Sequence, residues 1–261
     1  MQQKLPKVLS ASRWTDLVAC YPQEFLTRLK EFPSEDVHSI VIWTKNPANL
    51  IKLKELRDTL EGYDQIYLHL SITGMGGTVL EPNIPEWKEV VKLLQELIKF
   101  VKGAKRFSWR FDPVVYLEKN GEEFTNYPVF SEILPYMAEL GITVCRTSFL
   151  SPYKKVIKRL GIAGFKIVSI SQERIKEIFD ELSQKGRDYG VTLLYCSMDD
   201  FEVSSCIDGR LLTELHPAKK VCDLKKDKGQ RARCGCTESL DIGWYSMKCL
   251  NGCLYCYATP A

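Results

Sequence analysis

Short apolar runs alternate with amphipathic segments along the first 200 residues of the chain. Each run is rich in β-branched residues and is flanked by polar or turn residues, as expected of a strand buried on both faces. Strands that alternate with helices in this way predict a mainly parallel sheet with right-handed crossovers. The runs cover residues 8–12, 38–44, 65–73, 106–111, 142–149 and 191–197.

Two of the intervening segments show clear helical periodicity. One helix is predicted to begin at Pro85, which suits the first helical position, and to end at Gly103. A second is predicted to follow Ser171, a suitable N-cap. Such units fit an open doubly wound sheet or a (β/α) barrel, and the chain lacks the phosphate-binding fingerprints of the doubly wound class. We therefore expect an α/β barrel, partial or full, over residues 1–200, with a cysteine-rich segment over residues 201–261 packed on it.

Polar side chains stand at the predicted carboxyl ends of the strands, where the chemistry of such folds is found. Arg110 and Arg146 follow long apolar runs, so we expect them to be partly buried and to need anionic partners. Asp16 and Asp112, or the carboxylate of a ligand, could be these anionic partners. The alternative is that the strand ends are polar only because they meet water. The candidate catalytic residues are Arg13, Asp16, Lys45, Arg110, Asp112 and Arg146, and the candidate cofactor-binding residues are Ser12, Arg13, Ser71 and Thr73.

The composition narrows the class of protein. With 45% hydrophobic and 26% charged residues among 261, the chain can bury a sizeable core. No apolar run approaches the length of a membrane span, and the amino terminus lacks the apolar core of a signal peptide. We therefore expect a cytoplasmic protein with no membrane partner. A net charge of +3 does not demand nucleic acid, and the basic segment 217–237 has no interleaved aromatic residues, which favours a solvated loop.

Ten cysteines are the unusual feature, and eight of them lie between Cys196 and Cys256. Reduced thiols gathered in one segment of a cytosolic chain are more often metal ligands than disulfides. Cys249, Cys253 and Cys256 form a C-x3-C-x2-C sequence with Tyr255 before the last cysteine. Three such thiolates can hold a [4Fe–4S] cluster with one iron open to a small molecule, whereas structural zinc needs four closed ligands. The spacing favours the cluster.

Four further cysteines could form a second, closed metal site: Cys196, Cys206, Cys234 and Cys236. Four thiolates would suit either a second [4Fe–4S] cluster or zinc. Cys222 could replace one of them, and the alternative is that these thiols bind no metal. A filled site would pin the polar segment to the end of the last strand.

The C-terminal sequence resembles the signature of the radical S-adenosylmethionine superfamily, C-x3-C-x-aromatic-C. The resemblance implies a partial or full (β/α) barrel, a [4Fe–4S] cluster on the three cysteines, and S-adenosylmethionine chelated by the open iron, with Tyr255 among the cofactor-binding residues. The superfamily carries this signature near its amino terminus, whereas here it is five residues from the carboxyl terminus. A circular permutation would reconcile the two, with a strand at 238–245 beside the strand at 8–12. Ser12 and Arg13 would then stand where the superfamily has a glycine-rich strand end.

Most of the chain also resembles a microbial domain-of-unknown-function family whose members carry a C-terminal cysteine cluster like that of radical enzymes. This resemblance supplies no substrate. It runs through residues 10–13, 15–16, 43–47, 109–113, 234–236 and 241–243 to the final cysteines.

Two functions follow from these patterns. In the first, a donor such as ferredoxin or flavodoxin reduces the cluster at a potential of about −400 mV or below. The reduced cluster then cleaves S-adenosylmethionine. The resulting 5′-deoxyadenosyl radical takes a hydrogen atom from an unidentified substrate, such as a small molecule. In the second, the chain is an iron–sulfur or zinc protein that carries electrons or binds a partner. The polar strand ends favour the first function, and the displaced signature favours the second.

Overall fold

All six apolar runs form β-strands in the structure, a computed structural model that describes residues 5–198, 201–244 and 246–258. A short strand near the carboxyl end joins their sheet, and a second, three-stranded sheet includes a hairpin that the sequence pattern did not predict. The strands are β1 (Lys7–Ala11), β2 (Val37–Thr44), β3 (Ile66–Ser71), β4 (Phe107–Val114), β5 (Tyr116–Lys119), β6 (Glu122–Thr125), β7 (Val144–Phe149), β8 (Lys166–Ile167), β9 (Thr192–Tyr195) and β10 (Leu240–Asp241).

Helices connect the strands, and none that the structure describes is long and apolar enough to cross a bilayer. Ser171 caps its helix as predicted, because its side chain accepts from the Arg174 N–H. The helix predicted from Pro85 to Gly103 is instead two, since the Leu93 N–H bonds to the carbonyl three residues back. The helices are α1 (Leu17–Cys20), α2 (Pro22–Leu29), α3 (Ala48–Lys52), α4 (Lys54–Glu61), α5 (Trp87–Val91), α6 (Leu94–Phe100), α7 (Phe130–Glu139), α8 (Lys154–Ile162), α9 (Gln172–Asp188) and α10 (Gly209–Leu215), with 3-10 turns at Ser34–Asp36, Ala104–Arg106 and Tyr127–Val129.

The main sheet has seven strands in the order β10-β1-β2-β3-β4-β7-β9, and all its pairings are parallel. This confirms the predicted α/β class. Leu240 and Asp241 of β10 lie opposite Leu9 and Ser10 of β1. The strand predicted at 238–245 therefore has the neighbour that we expected, although residue 245 lies outside the described residues.

The sheet is open at both edges. No pairing between described residues joins β9 to β10, so they do not form a full barrel. The physical reason is the polar segment after β9. Its described residues form the short helix α10 and loops before β10, where a barrel would need further strands. The domain boundary predicted at residue 200 lies outside the described residues.

The two faces of the main sheet are covered differently. One face packs apolar side chains such as Ile40, Leu68 and Trp109 into the main core with the helices. The other face packs Val8, Val41 and other residues against the cysteine-rich segment. Both faces are buried, as predicted, but the second face meets the segment that carries most of the cysteines.

Candidate functional site

Three cysteines lie on the C-terminal loop, residues 249–256, which is tied to the segment after β3. Gly252 turns this loop with a φ of 68°, in the left-handed region that glycine adopts without strain. The Leu254 N–H donates to the Leu80 carbonyl at 3.1 Å. The Asn83 side-chain amide donates to the Leu250 carbonyl at 2.7 Å. The cysteines are therefore held near the carboxyl ends of the first parallel strands.

Asp16 anchors the same loop to β1 and β2. Its carboxylate caps α1 by accepting from the Ala19 N–H at 2.9 Å. It also accepts from the Thr44 hydroxyl at 2.9 Å, the Lys45 N–H at 2.8 Å and the Asn251 amide at 3.1 Å. Burial raises the pKa of Asp16 despite these donors. Asp16 thus positions the loop. The predicted role was to orient cationic side chains, but Asp16 contacts the backbone N–H of Lys45 and not its ammonium group.

Glu81, in the loop after β3, is a second anchor. Its Oε1 atom accepts from Lys45 Nζ at 2.7 Å, from the Thr73 hydroxyl at 2.8 Å and from the Tyr255 hydroxyl. Burial opposes the charge on Lys45, but Glu81, Cys253 and Cys256 together outweigh it and raise the pKa of Lys45. Three predicted residues, Lys45, Thr73 and Tyr255, therefore meet at one buried carboxylate whose charge also acts on Cys253.

The three thiols of the C-terminal loop act on one another through their charges, and no hydrogen bond within the described ranges joins them. Cys20, at the end of α1, lowers the pKa of Cys249. The Cys20 thiol also donates to the Asn251 side-chain oxygen at 3.6 Å. The Ala258 N–H donates to Cys256 Sγ at 3.3 Å.

The other four predicted cysteines form what we call the four-cysteine row. The thiols act on one another's pKa in the order Cys196, Cys206, Cys236, Cys234. The Cys206 N–H also donates to Cys236 Sγ at 3.2 Å. Three of the four pack, or are packed against, the apolar group on the second face of the sheet, and Cys196 directly follows β9. Folding therefore gathers thiols from three separate segments.

Arg110 and Arg146 lie beside the four-cysteine row. Arg110 donates to Cys206 Sγ at 3.0 Å and pairs with Asp112, as predicted for that carboxylate. Arg146, 2% exposed, donates to the Ser205 carbonyl at 2.8 Å and to the Ser108 hydroxyl at 2.6 Å. Arg110 and Arg146 therefore lie by the four-cysteine row, whereas Lys45 lies by the C-terminal loop.

Arg13 lies between the two cysteine groups. Its Nη1 atom donates to Asp227 Oδ2 at 3.0 Å, and its backbone carbonyl accepts from the Tyr257 hydroxyl at 2.9 Å. The charge of Cys236 acts on its guanidinium. Its Nη2 atom is buried and has no hydrogen-bond partner in the described part of the chain. This nitrogen is therefore available to a ligand.

The remaining predicted residues, Ser12 and Ser71, lie at strand ends as expected. Ser12 is buried after β1, and its hydroxyl accepts from the Trp14 N–H at 3.3 Å. A Cβ atom on Gly243 would come within 2.6 Å of Ser12 Oγ, so glycine allows the chain after β10 to approach β1. Ser71 is half-buried and lies in register with Arg110.

All ten cysteines are free thiols. Across residues 5–198, 201–244 and 246–258, no group of three or more His, Cys, Asp or Glu side chains is arranged around a metal position. The candidate metal ligands are therefore identified by donor chemistry, position and neighbours.

Comparison with known families relates most of the chain to one of them. Residues 30–258 match the family described as a domain of unknown function, DUF1848. The chain belongs to this family. Both cysteine groups fall within the part that matches DUF1848. A search among curated proteins finds no match.

Solved structures of SuiB from Streptococcus suis are similar to this chain at 12% sequence identity. One covers 75% of this chain and 50% of SuiB, with a TM-score of 0.39. SuiB bound to S-adenosylmethionine covers 82% and 53%, with a TM-score of 0.39. SuiB bound to the precursor peptide SuiA covers 74% and 49%, with a TM-score of 0.38. The chain thus spans about half the length of SuiB.

Two residues of the site, Cys20 and Glu81, were not among the candidate site residues predicted from the sequence. Cys20 is far from Cys249 in the chain, and no local spacing links them. Glu81 lies in the glycine-rich loop after a predicted strand, a loop that the sequence suggested could approach a ligand but that a simple turn explained better. In the structure Glu81 pairs with Lys45.

Proposed function

We propose that the C-terminal loop holds a [4Fe–4S] cluster through Cys249, Cys253 and Cys256, and that the chain is an iron–sulfur enzyme of the radical S-adenosylmethionine type acting on an unidentified substrate. The observation that carries this proposal is the position of the loop, because three thiols on eight consecutive residues lie near the carboxyl ends of parallel strands. Ligands in open parallel sheets bind at this edge.

The residues of the loop fit the group. Thiolates are the ligands that iron–sulfur clusters use. All three cysteines are free thiols, and no hydrogen bond within the described residues joins them to one another. The Ala258 N–H donates to Cys256 Sγ, and bonds of this kind tune cluster potentials.

The surrounding residues have defined tasks around such a cluster. Lys45 places a positive charge near Cys253 and Cys256, which favours thiolates. Glu81 holds Lys45 and Tyr255 in place. Asp16 fixes Asn251, inside the loop, to the ends of β1 and β2. When bound, the cluster would supply one electron, received from a donor such as ferredoxin or flavodoxin, to S-adenosylmethionine at its open iron.

Arg13 is the best candidate to bind the carboxylate of S-adenosylmethionine or of an anionic substrate. Its buried Nη2 atom has a free donor position among the described residues. A charge-assisted bond from guanidinium to carboxylate contributes roughly 1.5–3 kcal/mol. Arg110 and Arg146, which we also considered for this role, already donate to Cys206, Asp112, Ser205 and Ser108.

The strand order supports a partial barrel of circularly permuted sequence. β10 directly precedes the cysteine loop and lies parallel beside β1. A chain read from β10 onward through β1 to β9 would have the superfamily's order, with the cysteines after the first strand. The open parallel sheet is consistent with a partial barrel.

The test is anaerobic reconstitution followed by iron analysis, electron paramagnetic resonance and an assay for 5′-deoxyadenosine. We expect iron and sulfide consistent with a [4Fe–4S] cluster, a change in the spectrum of the reduced cluster on adding S-adenosylmethionine, and 5′-deoxyadenosine with dithionite. Cys253→Ala should remove this cluster. Cys145→Ala, a buried cysteine of β7 outside both groups, is the matched control and should keep it. Iron at the loop unchanged in Cys253→Ala would overturn the proposal.

A second candidate function is an electron carrier with a fully ligated cluster. The contact between Cys20 and Cys249 favours it, because Cys20 is a fourth thiol at the loop. Cys20→Ala separates the two functions. An open-iron enzyme should keep its cluster and its response to S-adenosylmethionine in this variant, whereas a closed cluster should lose iron and should never respond.

A further inference from the structure

The four-cysteine row is a cluster of thiols outside the proposed cluster loop. The backbone draws the inner two together, because the Cys206 N–H donates to Cys236 Sγ at 3.2 Å. Arg231 links the outer two, since its guanidinium donates to Cys196 Sγ at 3.6 Å and its carbonyl accepts from the Cys234 N–H at 2.9 Å. A disulfide would need only two of these residues. Four thiols gathered from three segments require a reason that includes all four.

Backbone N–H groups point at the sulfur atoms of this row. The N–H groups of Cys206 and Ile207 donate to Cys236 Sγ at 3.2 and 3.4 Å. The two segments touch closely, because a Cβ atom on Gly235 would lie 2.6 Å from Ser205 Oγ. Two donors on one sulfur favour a thiolate, and thiolates are the form that binds metal.

Cationic side chains surround the row. Arg110 donates to Cys206 Sγ at 3.0 Å, and Arg231 lies 3.6 Å from Cys196 Sγ. Arg146 is 2% exposed, and in the described part of the chain its partners are uncharged oxygens of Ser205, Ser108 and Tyr67. A buried cation needs a counter-charge. One divalent ion with four thiolates carries two net negative charges and would supply it.

We infer that Cys196, Cys206, Cys234 and Cys236 bind one zinc ion in a closed four-thiolate site. Four thiolates and no open position are the ligand set of a structural zinc site, with zinc–sulfur bonds of about 2.3 Å. No group of three or more His, Cys, Asp or Glu side chains in the described residues is arranged around a metal position. The thiols would therefore have to rotate about their side-chain torsions to surround the ion.

The site would fasten the cysteine-rich segment to the sheet. Cys196 follows β9, while Cys234 and Cys236 directly precede the chain that enters β10. The zinc ion would therefore connect the two open edges of the sheet, where no strand pairing exists among the described residues. It is independent of the cluster on the C-terminal loop.

Metal analysis of the full chain tests the inference. Protein produced with zinc supplied, and purified under anaerobic conditions, should contain one zinc per chain. Cys206→Ser and Cys236→Ser should each reduce zinc at least tenfold. Cys222→Ser is the matched control, a buried cysteine of the same segment that bonds to Thr213 instead of the row, and it should keep the zinc. Cys253→Ala should also keep zinc while it loses iron.

X-ray absorption at the zinc edge of the unaltered chain tests the same site without a variant that could misfold. Four sulfur neighbours at about 2.3 Å are expected. Zinc with nitrogen or oxygen neighbours, an absence of zinc, or a Cys206–Cys236 disulfide in the isolated protein would each overturn the inference. Loss of four irons in Cys206→Ser would overturn it in favour of a second [4Fe–4S] cluster.

Discussion

The two cysteine groups of this chain differ in the donors that contact their sulfurs and in the charge around them. In the four-cysteine row two backbone N–H groups and Arg110 donate to sulfur, and Arg146 lies nearby. On the C-terminal loop the Ala258 N–H donates to Cys256, and Glu81 neutralises the neighbouring Lys45. Four thiols beside cations suit one divalent ion in a closed site, whereas three thiols suit a cluster with an open iron. We therefore propose a different metal for each group.

The groups also differ in how they are held. The C-terminal loop takes its ligands from eight consecutive residues and is anchored by buried carboxylates, Asp16 and Glu81. The row takes its ligands from three segments and is held by close backbone contact and by Arg146. Changes at the anchors of one group should therefore leave the metal of the other in place.

Glu81→Gln should have the largest effect of the three changes predicted here, and it should act on the C-terminal loop and not on the four-cysteine row. The change removes the charge that three donors share and leaves Lys45 unpaired, and breaking a buried pair costs about 3 kcal/mol. We expect urea denaturation to show this loss in the free energy of unfolding and reconstituted protein to hold less iron at the loop. Zinc should be unchanged. Glu118→Gln, which removes an exposed pair with Lys166, is the control. Equal losses of zinc and iron would mean that the groups are not independent.

The sequence predicted the C-terminal loop more fully than the row, for a physical reason. Local spacing alone makes Cys249, Cys253 and Cys256 candidate ligands, and the turn at Gly252 between them is local too. The strands and the capping serine of α9 were also predictable, because periodicity and caps are local. The membership of the row followed from its cysteine count, but its contact with Arg110 and Arg146 depends on register between β4 and β7.

Some expectations failed where the deciding contact is distant in sequence. Six strand–helix units suggested a barrel, partial or full, but full closure depends on the segment after β9, which docks on the second apolar face of the sheet. Asp16 looked like a partner for cations, and its actual partners include Asn251, 235 residues away. Cys20 joined the site through the short helix α1.

Arg110→Ala should have the next largest effect, on the four-cysteine row alone. It removes a charge-assisted N–H···S bond at 3.0 Å, and loss of such an outer partner weakens metal binding about tenfold or more. Competition with a zinc chelator measures the change. Iron at the C-terminal loop and its response to S-adenosylmethionine should stay the same. Arg174→Ala, which removes an exposed pair with Glu177, is the control. If the variant lost its response to S-adenosylmethionine and kept its zinc, Arg110 would act at the C-terminal loop and not at the four-cysteine row.

Acid should produce the smallest effect, and it should act on the cysteine-rich segment. His38 donates from Nε2 to the Lys220 carbonyl at 2.8 Å, and its ring lies 4.6 Å from that of His216. Burial lowers the pKa of both histidines, while Lys220 and Asp64 are the charges that face them. Because both are lowered, the unfolded chain binds protons more readily. Stability is therefore full above about pH 6.5 and is lost as the pH falls through the folded pKa values.

The measurement is the free energy of opening from hydrogen exchange at pH 7.5 and 5.5, corrected for intrinsic exchange rates. We expect the amides of residues 207–222 to lose protection at the lower pH, and those anchored by Glu81 in the C-terminal loop to lose less. His38→Gln keeps an amide that can donate to the Lys220 carbonyl and removes one titrating group, so the loss should be smaller in this variant. The same loss in both proteins would show that His38 does not link protonation to the docking of the segment, and the two cysteine groups would then share one acid response.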